Sequence, residues 1–266
     1  MQQHTLNAVT LNVGRGFPGI EKTLGFFHGQ AADVLLLQDL RADHIGAFLV
    51  IFGPSAHFVP MCYHFFRGGI GWVPVGVGIF SRHPLINVSA YAYVGAVQPV
   101  QNLDGYAHDA QGASFATDLD RLRKTESRLA VFADVVVPGC VPVRFGTTHG
   151  VWTPGGKADD HQRKAMRILR SIMEERMMDG AVMAGDFNAA AGGEIHQMLT
   201  GSSVYNYRMP HGITNTVDWV KRGRSGPHLV VDQIYAAHLD IAGVDVHSGV
   251  SDNLALTFTV QLRPDH

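Results

Sequence analysis

The sequence predicts an α/β (α+β) chain of two packed mixed sheets with helices on the outside. Three observations carry that reading. Short apolar runs that suit strands outnumber helical segments along the 266 residues. Several of these runs are separated only by turns, so they read as hairpins and not as regular strand–helix alternation. The strongest helix has a single apolar face, which suits packing onto a sheet from outside.

Taken in order, residues 5–13 read as a strand and residues 19–30 as a helix. Between them, "LNVGRGFPGIEK" contains Gly14, Gly16 and Gly19 in the spacing of a dinucleotide-binding turn, and Asp39 closes the next apolar run twenty residues later. A doubly wound sheet needs further strand–helix alternation, which this chain lacks, so the glycines read as a tight turn. A nicotinamide or flavin oxidoreductase would rest on this turn alone.

Residues 33–38 suit a buried strand, and "VGVGIFSR" (75–82) a second, approached through a loop rich in glycine. Residues 95–125 are polar and irregular, a long loop and a candidate for substrate contact. "SRLAVFADVVV" (127–137) and "VPVRFGTTH" (141–149) form a hairpin around "PGC". Residues 159–180 are the strongest helix, with Asp159 and Asp160 in the first turn and Gly180 at the stop. Ala165, Leu169, Ile172, Met173 and Met177 give its apolar face, read as core. "AVMAGDFN", "TNTVDWV", "LVVDQIYAA" and "LALTFTV" follow as strands, and residues 1–266 form one domain.

Composition narrows the function classes. Hydrophobic residues make up 46%, charged residues 17%, and the net charge is -2. Nothing global draws the chain to a polyanion, so nucleic-acid contact requires a local patch. Cys62 and Cys140 match no zinc or redox spacing and read as buried thiols. The 15 histidines include no HExxH set. No basic leader with an apolar core opens the chain, and no apolar run approaches the ~20 residues of a membrane span. A soluble, cytoplasmic monomer without a membrane span is expected.

Polar residues stand where apolar strands stop: Asn12, Asp39, His149, Asp186 with Asn188, Asp232, and Asp252 with Asn253. Any one of them is as well explained by a turn as by a site. Six strands each delivering an acid, amide or imidazole are better explained by convergence on a cleft. The set lacks the cysteine or histidine pairs of zinc sites. Its oxygen donors suit Mg²⁺ or Mn²⁺. Carboxylates holding a divalent ion beside histidine and asparagine donors suit phosphoester chemistry.

These residues resemble the endonuclease/exonuclease/phosphatase family from about residue 5 to residue 261, in the family's motif order. "LNVGRG" resembles the opening asparagine strand, "LLLQDLR" the strand that ends Gln-Glu, and "GVGIFSRHPL" the Ser-Arg-x-Pro segment. "ESR" and "TTHG" resemble the Glu and His pair, "GDFN" is the most diagnostic match, and "VDQIY" and "SDN" complete the series. The resemblance implies a four-layer α/β/β/α sandwich and a Mg²⁺- or Mn²⁺-dependent phosphoester hydrolase. In it, Asp39 would hold the metal, with Asn12 beside it and Asp252 near. Asp186 would orient or deprotonate the attacking water, and Asn188 would bond the phosphate. His149, supported by Glu126, would stabilise the transition state, and Asp232 would support the histidine of the Ser-Asp-His motif.

Two positions depart from the family pattern. Asp39 stands where glutamate is usual and is shorter by about 1.5 Å, so backbone, ion or a water must adjust. Asn253 stands where the catalytic histidine is expected, and asparagine cannot carry a proton at neutral pH. A slow or specialised member, an inactivated form that traps substrate, and substitution by His247 are all compatible with this. A non-catalytic phosphate-binding protein is the competing class.

The substrate is expected to be a phosphodiester, a nucleic acid or a smaller one, in preference to a phosphomonoester. Two basic clusters suit either a solvated face or contact with flanking phosphates: Arg121, Arg123, Lys124 and Arg128, then Lys221, Arg222 and Arg224. Trp72, Trp152 and Trp219 suit either core or stacking, and Trp152, just after His149, is the better stacking candidate.

Overall fold

Strand β1, Thr5–Asn12, is buried almost throughout, and so are β6, Arg128–Val135, and β8, Ala181–Asp186. A strand buried on both faces must lie in a sheet covered on both sides. The computed structural model has that architecture; it describes residues 4–14, 20–66, 71–97, 123, 126–153, 156–218, 228–251 and 253–265.

The first sheet is built from β1, β2 (Val34–Arg41), β3 (Ser55–Phe66), β4 (Gly71–Ser81), β11 (Ile241–His247) and β12 (Ala255–Gln261), in the order β11-β12-β1-β2-β4-β3. The second holds β5 (Leu85–Val94), β6, β7 (Val143–Thr148), β8, β9 (Asn206–Tyr207) and β10 (Asp232–Ala237), in the order β5-β6-β7-β8-β10-β9. Both are mixed: β1 runs parallel to β2 and β7 parallel to β8, while the other pairs are antiparallel.

Side-chain alternation sorts the apolar residues into three layers of core. Leu36, Ile79, Val131, Phe145 and Ile234 meet between the sheets. On the outer face of the first sheet, Leu35, Leu37 and Phe80 pack against helices α1 (Ile20–Gly29) and α2 (Ile45–Phe52) through Phe27 and Phe48. Helices α3 (Asp160–Arg176) and α4 (Glu194–Thr200) cover the second sheet through Leu169, Met173, Ile195 and Leu199. The result is the four-layer α/β/β/α sandwich. Asp159 caps α3, its carboxylate accepting from the Gln162 N–H at 2.8 Å. Among the described residues no helix is long and apolar enough to cross a membrane.

The structure extends and corrects the element list. The glycine-rich approach to residue 75 is strand from Gly71, and its neighbour β3 carries Pro60, which an edge strand tolerates. A side chain on Gly76 would meet the Val59 carbonyl oxygen at 2.0 Å, so glycine is what lets β3 and β4 pair there. "TNTVDWV" is not a strand: across residues 214–218 it makes one bridge, Val217 to Asn253. Most of the expected 95–125 loop lies outside the described residues.

The fully buried Phe145 fills the space between the sheets. Phe145→Ala should therefore lower the unfolding free energy by ~3–5 kcal/mol. Val50→Ala, at a side chain 87% exposed, should change it by less than about 0.5 kcal/mol. Urea denaturation of both variants checks the pair.

Candidate active site

The site lies where one end of each sheet delivers its polar residues. Asn12 ends β1, and its Nδ2 donates to Asp186 Oδ2 at 3.0 Å. The Asn12 Oδ1 accepts from the N–H of Gly14, which has a φ of 56°, so the turn after the strand holds the amide in place. Gly16 and Gly19 lie outside the described residues.

Asp39 reaches the site through a bulge. Between Leu37 and Leu40 the pairing of β2 with β4 slips, and Asp39 takes a φ of 51°. Leu37 and Leu40 consequently face the same helical layer, and the extra residue between them is re-aimed. Its Oδ1 lies 3.3 Å from His149 Nδ1. The preceding Gln38 is fully buried and ties the sheets together beside the site: its Nε2 is 3.1 Å from Thr10 Oγ1 and 2.8 Å from Thr147 Oγ1.

His149 follows β7 and bridges to Asp186, just past the parallel pairing of β7 with β8. Its Nε2 lies 3.7 Å from Asp186 Oδ2, so the imidazole stands between two carboxylates. Its carbonyl accepts from Tyr93 Oη at 3.0 Å and from Arg128 Nη1 at 3.3 Å. Burial pushes the Tyr93 phenol well up, so it stays a neutral donor at all working pH values.

Asp186 is the hub. Its Oδ1 accepts from the Asn188 N–H at 2.8 Å, and its Oδ2 accepts from Asn12 and, at 3.2 Å, from Asn253. Asn188, with a φ of 50°, donates its side-chain amide to the Gly150 carbonyl at 2.9 Å, and the Gly150 N–H donates to the Asp186 carbonyl at 2.7 Å. Asp232 opens β10 directly opposite Asp186, and its Oδ2 accepts from Asn253 Nδ2 at 2.9 Å. Both Asp232 and Asn253 are fully buried.

The structure thus brings together Asn12, Asp39, His149, Asp186, Asn188, Asp232 and Asn253. Glu126 pairs with Arg128 at 2.6 Å and so connects to His149 through the arginine that holds the histidine's carbonyl. Arg128 is 5% exposed, which removes it from the solvated or phosphate-facing basic cluster. Arg123 pairs with Asp159. His247 bonds Thr257 Oγ1 at 2.9 Å and packs against Phe26. Trp152 is 40% exposed, three residues after His149. Asp252, Trp219, Arg121, Lys124, Lys221, Arg222 and Arg224 lie outside the described residues. Sequence reasoning missed Tyr93, Gln38 and Thr147. "AYAYV" carries no local signal, but a glutamine beside a strand-end acid was a readable one.

Asp39 and Asp186 flank the imidazole, Asp232 lies beyond Asn253, and Glu126 pairs with Arg128. Such a density of acidic oxygens favours a bound cation. Among the described residues no group of three or more His, Cys, Asp and Glu forms a ready-made ligand cage. Carboxylate oxygens are the donor type that suits a hard divalent cation, which can take one or two of them and complete its shell with water and substrate oxygens.

The architecture is a two-sheet sandwich whose strand ends gather acids, amides and one histidine. The chain belongs to the Endonuclease/Exonuclease/phosphatase family, whose sequence model matches residues 9–252. An endonuclease/exonuclease/phosphatase from Beutenbergia cavernae superposes with a TM-score of 0.68 at 15% identity, over 97% of this chain and 72% of that one. ANGEL2, a 2′,3′-cyclic phosphatase, gives 0.65 at 13% identity over 97% and 95%. The human Nocturnin catalytic domain with bound sulfate gives 0.62 at 15% identity over 98% and 97%. At these identities the likeness establishes the fold. No curated protein sequence matches the chain.

The link between His149 and Asp186 passes through Gly150, where a side chain would lie 2.0 Å from the Phe187 carbonyl oxygen. Gly150→Ala should cost ~1–3 kcal/mol by overpacking. Gly212→Ala, which meets nothing within 4 Å, should fall within about 0.5 kcal/mol of the parent. Thermal unfolding of the two variants measures the contrast.

Proposed function

We propose that this chain is a divalent-metal-dependent phosphoester hydrolase, and that phosphodiesters are its substrates. The observation that carries the reading is the meeting of Asp39, His149 and Asp186 across the two sheets, with 3.3 and 3.7 Å between imidazole and carboxylates. Asp39 would hold Mg²⁺ or Mn²⁺, with Asn12 beside it and Asp252 near. The ion supplies charge neutralisation at the phosphoryl oxygens. Asp186, pinned by three N–H donors, aims the attacking water in line with the leaving group. An amide NH₂ carries two donors. Asn188 spends one on Gly150 and keeps one for a phosphoryl oxygen. His149 stabilises the charge that develops on the pentavalent phosphorus. Trp152, exposed just past His149, offers a stacking surface for a base or sugar of a diester.

A second reading, an attenuated member that binds phosphate and turns over slowly, is favoured by Asn253. Its Nδ2 donates to both Asp232 and Asp186, and the side chain is fully buried. An amide at this position has no titratable proton to deliver to a leaving group. Asn253→His should raise turnover of bis-p-nitrophenyl phosphate and of plasmid or abasic DNA by ~10²–10⁴ with Mg²⁺ or Mn²⁺. Asp39→Ala should abolish the metal-dependent turnover and weaken Mn²⁺ binding. Folded wild-type and Asn253→His proteins that neither hydrolyse these substrates nor bind Mn²⁺ would exclude the enzyme reading.

A further inference from the structure

Residues 215–218 are the segment that reads as a strand and is not one, and their hydrogen bonds point to a different task. Thr216 is fully buried. Its Oγ1 accepts from the N–H groups of Val231 at 2.9 Å and Asp232 at 3.0 Å, which fixes the start of β10 in the second sheet. Its N–H donates to the Leu229 carbonyl at 2.8 Å. Its carbonyl accepts from the Leu254 N–H at 2.7 Å, the residue that leads into β12 of the first sheet. Next to it Val217 bridges Asn253, and two residues on the Asp218 carboxylate accepts from the Gly249 N–H at 2.8 Å. Asn253 closes the circuit by donating to Asp232 at 2.9 Å.

We infer that Thr216 is a positioning residue for the site: one hydroxyl and one carbonyl set where Asp232 stands against position 253 and, through Asn253, how Asp186 is held. The inference rests on the hydrolytic reading of the site for its functional consequence, and on the hydrogen bonds alone for its structural one. The hydroxyl is the working group, because only it receives both N–H groups of residues 231 and 232. Its γ-methyl has no part in the circuit. Serine therefore substitutes and valine, of the same shape, does not.

The test has two arms. In the first, the Asn253 side-chain amide of the wild-type protein is followed by NMR hydrogen exchange. Its two protons, buried between carboxylates, should exchange slowly, remain slow in Thr216→Ser and become fast in a folded Thr216→Val. In the second, kcat and KM are measured in the Asn253→His background. Thr216→Val should lower kcat by about 10²-fold, as expected for a small misplacement of reacting groups, with KM little changed. Thr216→Ser should restore the rate. Fast exchange in the wild-type protein, slow exchange surviving in Thr216→Val, or a serine variant that behaves as the valine one would each overturn the inference. If Thr216→Val does not fold, the wild-type and serine measurements decide it. If no form hydrolyses a phosphoester, the hydrolytic reading fails while the exchange arm still tests the position of Thr216.

Discussion

The carboxylate of Asp186 is the point on which the two sheets agree. It belongs to the second sheet, at the end of β8, yet its Oδ2 is held by two amides from the first, Asn12 from the end of β1 and Asn253 from the approach to β12. A buried carboxylate needs donors that satisfy its oxygens, because an unpaired one costs several kcal/mol. At Asp186, which is 3% exposed, the donors come from across the sandwich, so satisfying the acid and registering the sheets are the same requirement. Gln38 reaching from β2 to Thr147 on β7 adds a second cross-sheet tie two residues before His149.

This constraint explains why the bulge at Asp39 matters. A regular strand would turn residue 39 toward α1 and α2, onto the face that Leu37 and Leu40 occupy. The slipped register and positive φ turn it instead toward His149. Aspartate is among the residues that tolerate this backbone region best, and its shorter side chain is placed by the bulge and not by its own reach. Asn253 shows the opposite balance. It makes the circuit with Asp232 and Asp186 tight, and in doing so it withdraws the position that a proton carrier needs.

Much of this was legible in the sequence. The strand-end acids and amides stand out because polar residues interrupt apolar runs, and their order along the chain carries the family resemblance. What was not legible depends on pairing and burial. Pro60 breaks the pattern of β3, and its place at a sheet edge makes it acceptable. Arg128 looked like one charge of a basic cluster because its burial, with Glu126 as partner, is a property of the packed state. "TNTVDWV" has strand-forming residues, but the Thr216 hydroxyl and the Asn215 amide bond backbone groups of residues 217, 229, 231 and 232 in place of a ladder.

The hydrolytic proposal depends on a divalent ion held at Asp39, beside His149. Anomalous scattering from crystals grown with Mn²⁺ and inorganic phosphate tests it most directly. The account predicts an ion at ~2.0–2.2 Å from an Asp39 oxygen, in the range of octahedral oxygen ligation, with the phosphate between it and Asp186. An ordered phosphate in the cleft with no ion at Asp39, or an ion bound elsewhere, would contradict it.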